Sequence, residues 1–307
     1  MKILVHKIAV NSGLILLASA LISLQVSAAD DKHQSPAAGA AAQNSDELKK
    51  QAIVAERNQK IINEAKEAVL DTQQALLDLE KKDNAAALTA LQEAAKKLDL
   101  ILANNPVPDL VTADIEVDVI DFKGGAAEVA QKVKQAGQLL SHGKLQAGRM
   151  VVDELASEMD ITTVNIPLGT YPAAIKNAAA RINAGKAGEA EQILDDALNS
   201  LVEQTEIIPL PLLRAEALVL KASELEQKSD LSKEKNRDEI LGLVAAAKEK
   251  LKIAQLLGYG DKADYQPFYK VIDDIKGAIH TEKSAAVWAK VKQALEDLKN
   301  KIMPAKK

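Results

Sequence analysis

The stretch "TEIIPLPLLRA", Thr205 to Ala215, sets Pro-Leu-Pro between two apolar-periodic segments. Proline lacks an amide proton and its ring clashes with the preceding helical turn, so such a break divides a helical chain into units. Similar breaks occur in "ANNPVPDL" at Pro106 and in "TVNIPLGTYP" at Pro167. Three segments superpose without gaps on these breaks: "KDNAAALTALQEAAKKLDLILANNP" (82–106), "GKLQAGRMVVDELASEMDITTVNIP" (143–167) and "GKAGEAEQILDDALNSLVEQTEIIP" (185–209). In each, a small residue (Ala87, Gly148, Ala190) stands four positions before an aliphatic one (Leu91, Val152, Leu194). That spacing stacks the two on one helix face, where a small side chain admits a neighbouring helix.

A second apolar-periodic stretch precedes each segment, and Gly143 and Gly185 fall where that first helix should stop. Lys82-Asp83-Asn84 occupies the same place in the first copy. Each unit therefore reads as a helix, a tight polar turn and a second helix ending before proline. The spacing between units is unequal, which argues against a regular solenoid. The first gap holds "VPDLVTADIEVDVIDFKGG", in which Ile115, Val117 and Val119 alternate with Glu116 and Asp118, the period of a half-buried strand. Beyond Pro211 the pattern is helical again over 212–226, 233–257, 267–280 and 284–302. The expected fold is all-α: an irregular array or bundle of antiparallel helical hairpins separated by Pro-containing breaks, with one short extended arm near 109–122.

The first 28 residues have the layout of a cleavable secretory signal: Lys2 and Lys7, an apolar run from Gly13 to Leu24, then Val26 and Ala28. That run is too short for a bilayer span of about 20 residues. Residues 29–45 carry no large apolar side chain and read as a disordered linker. The folded domain is expected over 46–302 with a tail at 303–307, in the periplasm, with no membrane insertion once the signal is removed. Losing Lys2 and Lys7 takes the formal net charge from −5 to −7. An acidic chain without a basic stripe is a poor nucleic-acid binder. Zero Cys excludes disulfides, thiolate catalysis and thiolate metal sites.

Few residues invite chemistry. His142 and His280 lack a His or acidic neighbour at i±3 or i±4, so no metal pair forms and no metal or other cofactor is expected. No G-x-S-x-G occurs, and "GQLLSHGKL" fails as a phosphate loop because Leu145 stands where Ser or Thr is needed. In a strand, Asp114, Glu116 and Asp118 share one face, either as a solvated surface that discourages edge aggregation or as a pH-responsive patch. Counted from Asp114, Val119 and Gly125 take the places where an EF-hand needs Gly and an acid. Five of the seven aromatics, Tyr259, Tyr265, Phe268, Tyr269 and Trp288, lie in the C-terminal section. They either pack the last helices or line a site for an apolar small molecule or peptide.

The exported N-terminus, the Pro-terminated hairpins, "NNPVPDL" leading into "IEVDVIDF", and "KAGEAEQILDDALNSL" before "IIPLPL" resemble the bacterial YfdX proteins. The resemblance implies an all-α fold, a periplasmic location, association with tolerance of acid, heat or other envelope stress, and no established catalytic residues. The expected function is non-enzymatic: protein binding or chaperone-like protection. The alternatives are small-molecule binding at the aromatic section or an oligomeric helical scaffold without a client. Expected partners are further copies of the chain, client proteins or apolar small molecules.

Overall fold

Three times in succession the chain makes a helix, a tight turn, a second helix and a strand. In the computed structural model, which describes residues 49–52, 55–56, 62–104 and 109–303, the first unit is α1 (Asn63–Glu80), α2 (Asn84–Asn104) and β1 (Leu110–Ile120). The second is α3 (Ala126–Ser141), α4 (Leu145–Asp153) and β2 (Glu158–Pro167). The third is α5 (Tyr171–Asn183), α6 (Ala187–Asn199) and β3 (Val202–Pro209). All described residues belong to the unit Gln34–Lys307. The expected leader, the linker, Pro106 and residues 304–307 lie outside them.

The three turns share one hydrogen-bond pattern. The amides of Lys82, Gly143 and Gly185 donate to the carbonyls of Leu79, Leu140 and Ile182, three residues back. The next amides, of Asp83, Lys144 and Lys186, donate to Asp78, Leu139 and Arg181 at 2.8, 2.9 and 2.9 Å. This pair of bonds is the Schellman closure of a helix, and it needs a left-handed residue. Gly143 (φ +72°) and Gly185 (φ +76°) supply it without strain, whereas Lys82 adopts φ +63° with a side chain attached.

The second helices depart from the sequence reading. Only α2 runs on toward its proline; α4 and α6 stop at Asp153 and Asn199, and strands fill the rest of those two segments. "DITTVNI" and "EII" concentrate β-branched residues, which fit a pleated sheet better than a helix, while "KKLDLILANN" has only one. Pro167 and Pro209 therefore close strands, and Pro172 and Pro211 sit in the first turns of the helices that follow, where the missing amide proton costs nothing. The expected arm at 109–122 is β1, and it is one strand of three. The sheet order is β1-β2-β3, antiparallel throughout, with a bulge between Thr112 and Asp114.

Helices α1, α2, α5 and α6 pack as a group, α1 on α2 and α6, and α5 on α2 and α6. Its buried face is built from Ala65, Ala68, Ala75, Ala87, Leu91, Ala178, Ala190 and Leu194, so the expected small-residue packing holds there. The aligned Val152 is the exception: it is 48% exposed. Beyond β3, α7 (Leu210–Lys228), α8 (Glu234–Leu256), α9 (Lys262–Ile272), the single turn α10 (Ile275–Ala278) and α11 (Ser284–Ile302) enclose a second core. Helix α9 begins five residues before Pro267, because Asp261 and Asp264 form a capping box around its first turn.

Candidate functional site

The register places Asp114, Glu116 and Asp118 on the outer face of β1, opposite Val164, Thr162 and Asp160 of β2. Ile115, Val117, Met159, Ile161 and Ile208 point the other way, onto Leu210 and Leu213 of α7. On β3, Glu203 and Ile207 fall beside Val164 and Asp160 on the outer face. Asp114 is drawn aside by Lys66 of α1 at 3.1 Å, while Glu116 and Asp118 stay exposed. Asp160 joins the patch, and its carboxyl is pushed upward by burial and by the charges of Glu158 and Asp118. The alternation in "EMDITTV" is the signal that could have placed Asp160 and Glu158 there. Among the described residues no cluster of His, Asp and Glu could hold a metal ion.

Where the sheet meets the C-terminal bundle, the polar groups are closely paired. Asp121, just after β1, accepts both terminal nitrogens of Arg214 on α7 at 2.8 Å, and the Ser157 hydroxyl at 3.2 Å. Burial opposes ionisation of Asp121, but Arg214 and Lys123 outweigh it and hold the carboxyl at about 2. The Tyr259 hydroxyl donates to Glu158 at 2.6 Å and accepts the Ser157 amide at 3.1 Å. Burial and the Glu158 charge push that phenol up. Ser157 thus faces a carboxylate that is a weak base at neutral pH, with no histidine in this network. The arrangement clamps β1 and β2 to α7 and to the turn after α8.

The C-terminal aromatics are structural in position. Tyr265 and Phe268 are fully buried in the second core, and Trp288 is nearly so. Tyr265 stacks on Tyr269 with centroids 6.2 Å apart, and Phe268 meets Tyr269 edge-on at 6.3 Å. The Trp288 indole N–H donates to Glu226, which also accepts the Ser284 hydroxyl. Tyr265 donates to the Tyr259 carbonyl, although the Tyr259 hydroxyl belongs to the sheet junction. All five pack in or against that core, and the Tyr259 hydroxyl reaches out of it to the sheet. A cavity of about 330 Å³ lies elsewhere, between α7 and α11, lined by Glu216, Val219, Leu220, Lys292, Leu295 and Glu296 among others.

Residues 68–207 match the protein-family model described as YfdX protein. Over those residues the chain is similar to the YfdX proteins. The match runs from within α1 into β3, so it holds nearly all of the three repeated units and stops short of α7 to α11. Among solved structures, YfdX of Salmonella Typhi is similar at 17% identity, over 49% of this chain and 93% of that one, with a TM-score of 0.34. The comparison with curated proteins returned no match.

Within the matched stretch one hairpin stands apart, and no sequence motif points to it. Helices α3 and α4 pack on each other where Gly148 meets Leu140: a methyl group added at Gly148 would lie 2.7 Å from Leu140 Cδ2. Ala126 and Val129 anchor the base of α3 on Ile253 of α8, with Leu155 and Phe122 beside them. Few other apolar side chains of the pair are buried. Leu145 and Met150 are 59% and 69% exposed, and Val133, Leu140 and Val152 are exposed as well. Val133 and Leu140 are seven residues apart, as are Leu145 and Val152, so each pair marks one stripe of its helix beside the seam. Lys134, Lys144 and Arg149 accompany them and form no ion pair among the described residues.

Proposed function

We propose that this protein acts in the periplasm as a non-enzymatic binding protein, contributing to tolerance of acid, heat and related envelope stress by holding apolar segments of partly unfolded proteins. The observation that carries the reading is the exposed apolar side of the α3–α4 hairpin, flanked by cations. Unpartnered apolar surface with a polar rim is the usual mark of a binding face. The match to the YfdX family model over 68–207 and the signal-like first 28 residues support the setting. The described residues hold no helix long and apolar enough to cross a membrane.

Light scattering from a heat-aggregating model protein tests the reading. At an equal molar amount the full chain should slow aggregation, and Leu145→Gln with Val152→Gln should remove most of that effect while leaving the melting temperature nearly unchanged. Aggregation that proceeds unaltered at every ratio would overturn it. The cavity between α7 and α11 favours a second reading, carriage of a small amphipathic ligand, since its size falls within the usual range for such sites. A ligand held there should raise the melting temperature in proportion to its concentration above Kd.

A further inference from the structure

The exposed hairpin has a counterpart on the same chain. The three strands contain no Lys or Arg, and their outer face presents Glu116, Asp118, Asp160 and Glu203 together with Ile120 and Ile207. Both isoleucines are exposed. The hairpin presents the complement: apolar Leu140, Leu145 and Val152 beside Lys134, Lys144 and Arg149. Of its own carboxylates Glu154 is paired with Lys132 at 2.6 Å, and three cations, Lys134, Lys144 and Arg149, stand against Glu128 and Asp153. The two surfaces also agree in length, since a 16-residue helix is about 24 Å long and strands of 8 to 11 residues reach roughly 26–36 Å.

We infer that the α3–α4 hairpin of one copy docks on the outer sheet face of a second copy, its cations against the second copy's carboxylates and its leucines against Ile120 and Ile207. The pairing must join unlike faces. Two sheet faces brought together would oppose carboxylate to carboxylate, and two hairpins would bring together surfaces on which cations outnumber carboxylates. Nor is the hairpin free to swing onto its own sheet, because Ala126, Val129 and Leu155 fix its base against α8. A contact between unlike faces leaves one hairpin and one sheet face open on every pair, so it propagates until a ring closes. Coulomb attraction between exposed groups makes it sensitive to salt. The inference stands on the two faces themselves and not on client capture.

Sedimentation velocity of the full chain over a concentration series tests it. In about 20 mM salt the weight-average mass should rise with concentration, and about 500 mM salt should weaken the association by roughly ten-fold. Lys144→Glu with Arg149→Glu on the hairpin should abolish the rise, and so should Glu116→Lys with Asp118→Lys on the sheet. Each variant should keep the wild-type circular dichroism spectrum. Mixing the two variants in equal amounts should restore association, because each face then meets its opposite charge again. Association that both variants retain, or a mixture that stays dissociated, would overturn the inference. So would a wild-type chain that stays monomeric while its hairpin carries it onto phosphatidylglycerol vesicles. Glu116→Lys with Asp118→Lys leaves the hairpin untouched and should keep aggregation protection while losing self-association, so failure of this contact and failure of client capture read separately.

Discussion

Lys82 performs the task that Gly143 and Gly185 perform in the later units, and it does so with a side chain in the left-handed region. Lys82→Gly should therefore stabilise the protein by roughly 1 kcal/mol, read as a higher urea midpoint at unchanged slope. Asp121 acts in the opposite sense. Its carboxyl sits at about 2 in the folded protein, below its ordinary 3.8, so its pairing with Arg214 contributes stability above pH about 4 that is lost as pH falls through about 2. Asp121→Asn should cost about 3 kcal/mol at pH 7, because it removes the bidentate carboxylate from a largely buried guanidinium, and the cost should shrink toward pH 2. Urea titrations at the two pH values check both size and sign. Neither residue announces its role in the sequence: Lys82 lies in a polar turn like many others, and the distance from Asp121 to Arg214 along the chain hides their contact.

Among the elements, the repeat is legible in the sequence, whereas the strands that replace helix in the second half of two segments are not. Gly, Pro and apolar spacing locate the hairpins because each reports a local backbone constraint. Helix and strand compete within the same stretch, however, and the outcome at 158–167 and 202–209 depends on a sheet partner supplied from elsewhere in the chain. Alternation is legible in β1, where acids mark every second residue, and obscured in β2, where threonines blur it. The same limit separates Leu194 from Val152. They superpose in sequence, yet Leu194 is buried by the neighbouring helices while Val152 faces out. Leu194→Ala should cost 2–5 kcal/mol and Val152→Ala under about 0.5 kcal/mol in chemical denaturation. Comparable costs at the two positions would mean that the hairpin face is covered in solution.

For the whole molecule, the Asp121–Arg214 and Glu158–Tyr259 contacts tie a sheet made by the first three units to a bundle made after them. Trp288, the single tryptophan, lies in that bundle, while helices throughout the chain set the far-UV signal. The two probes should report one coincident unfolding transition, and Arg214→Met should split it by loosening the bundle from the sheet. Composition made the helical class readable, yet the candidate surfaces were only half readable: the acids of β1 could be seen, whereas the exposed hairpin could not. Exposure is a property of what fails to pack against a segment, and that is decided by distant elements.

The middle strand carries one more consequence. Among the described residues both outer strands pair only with β2, so β1 leaves the ribosome long before its partner strand exists. Mutual repulsion among Asp114, Glu116 and Asp118 should disfavour pairing of that waiting segment with the same segment of another nascent chain.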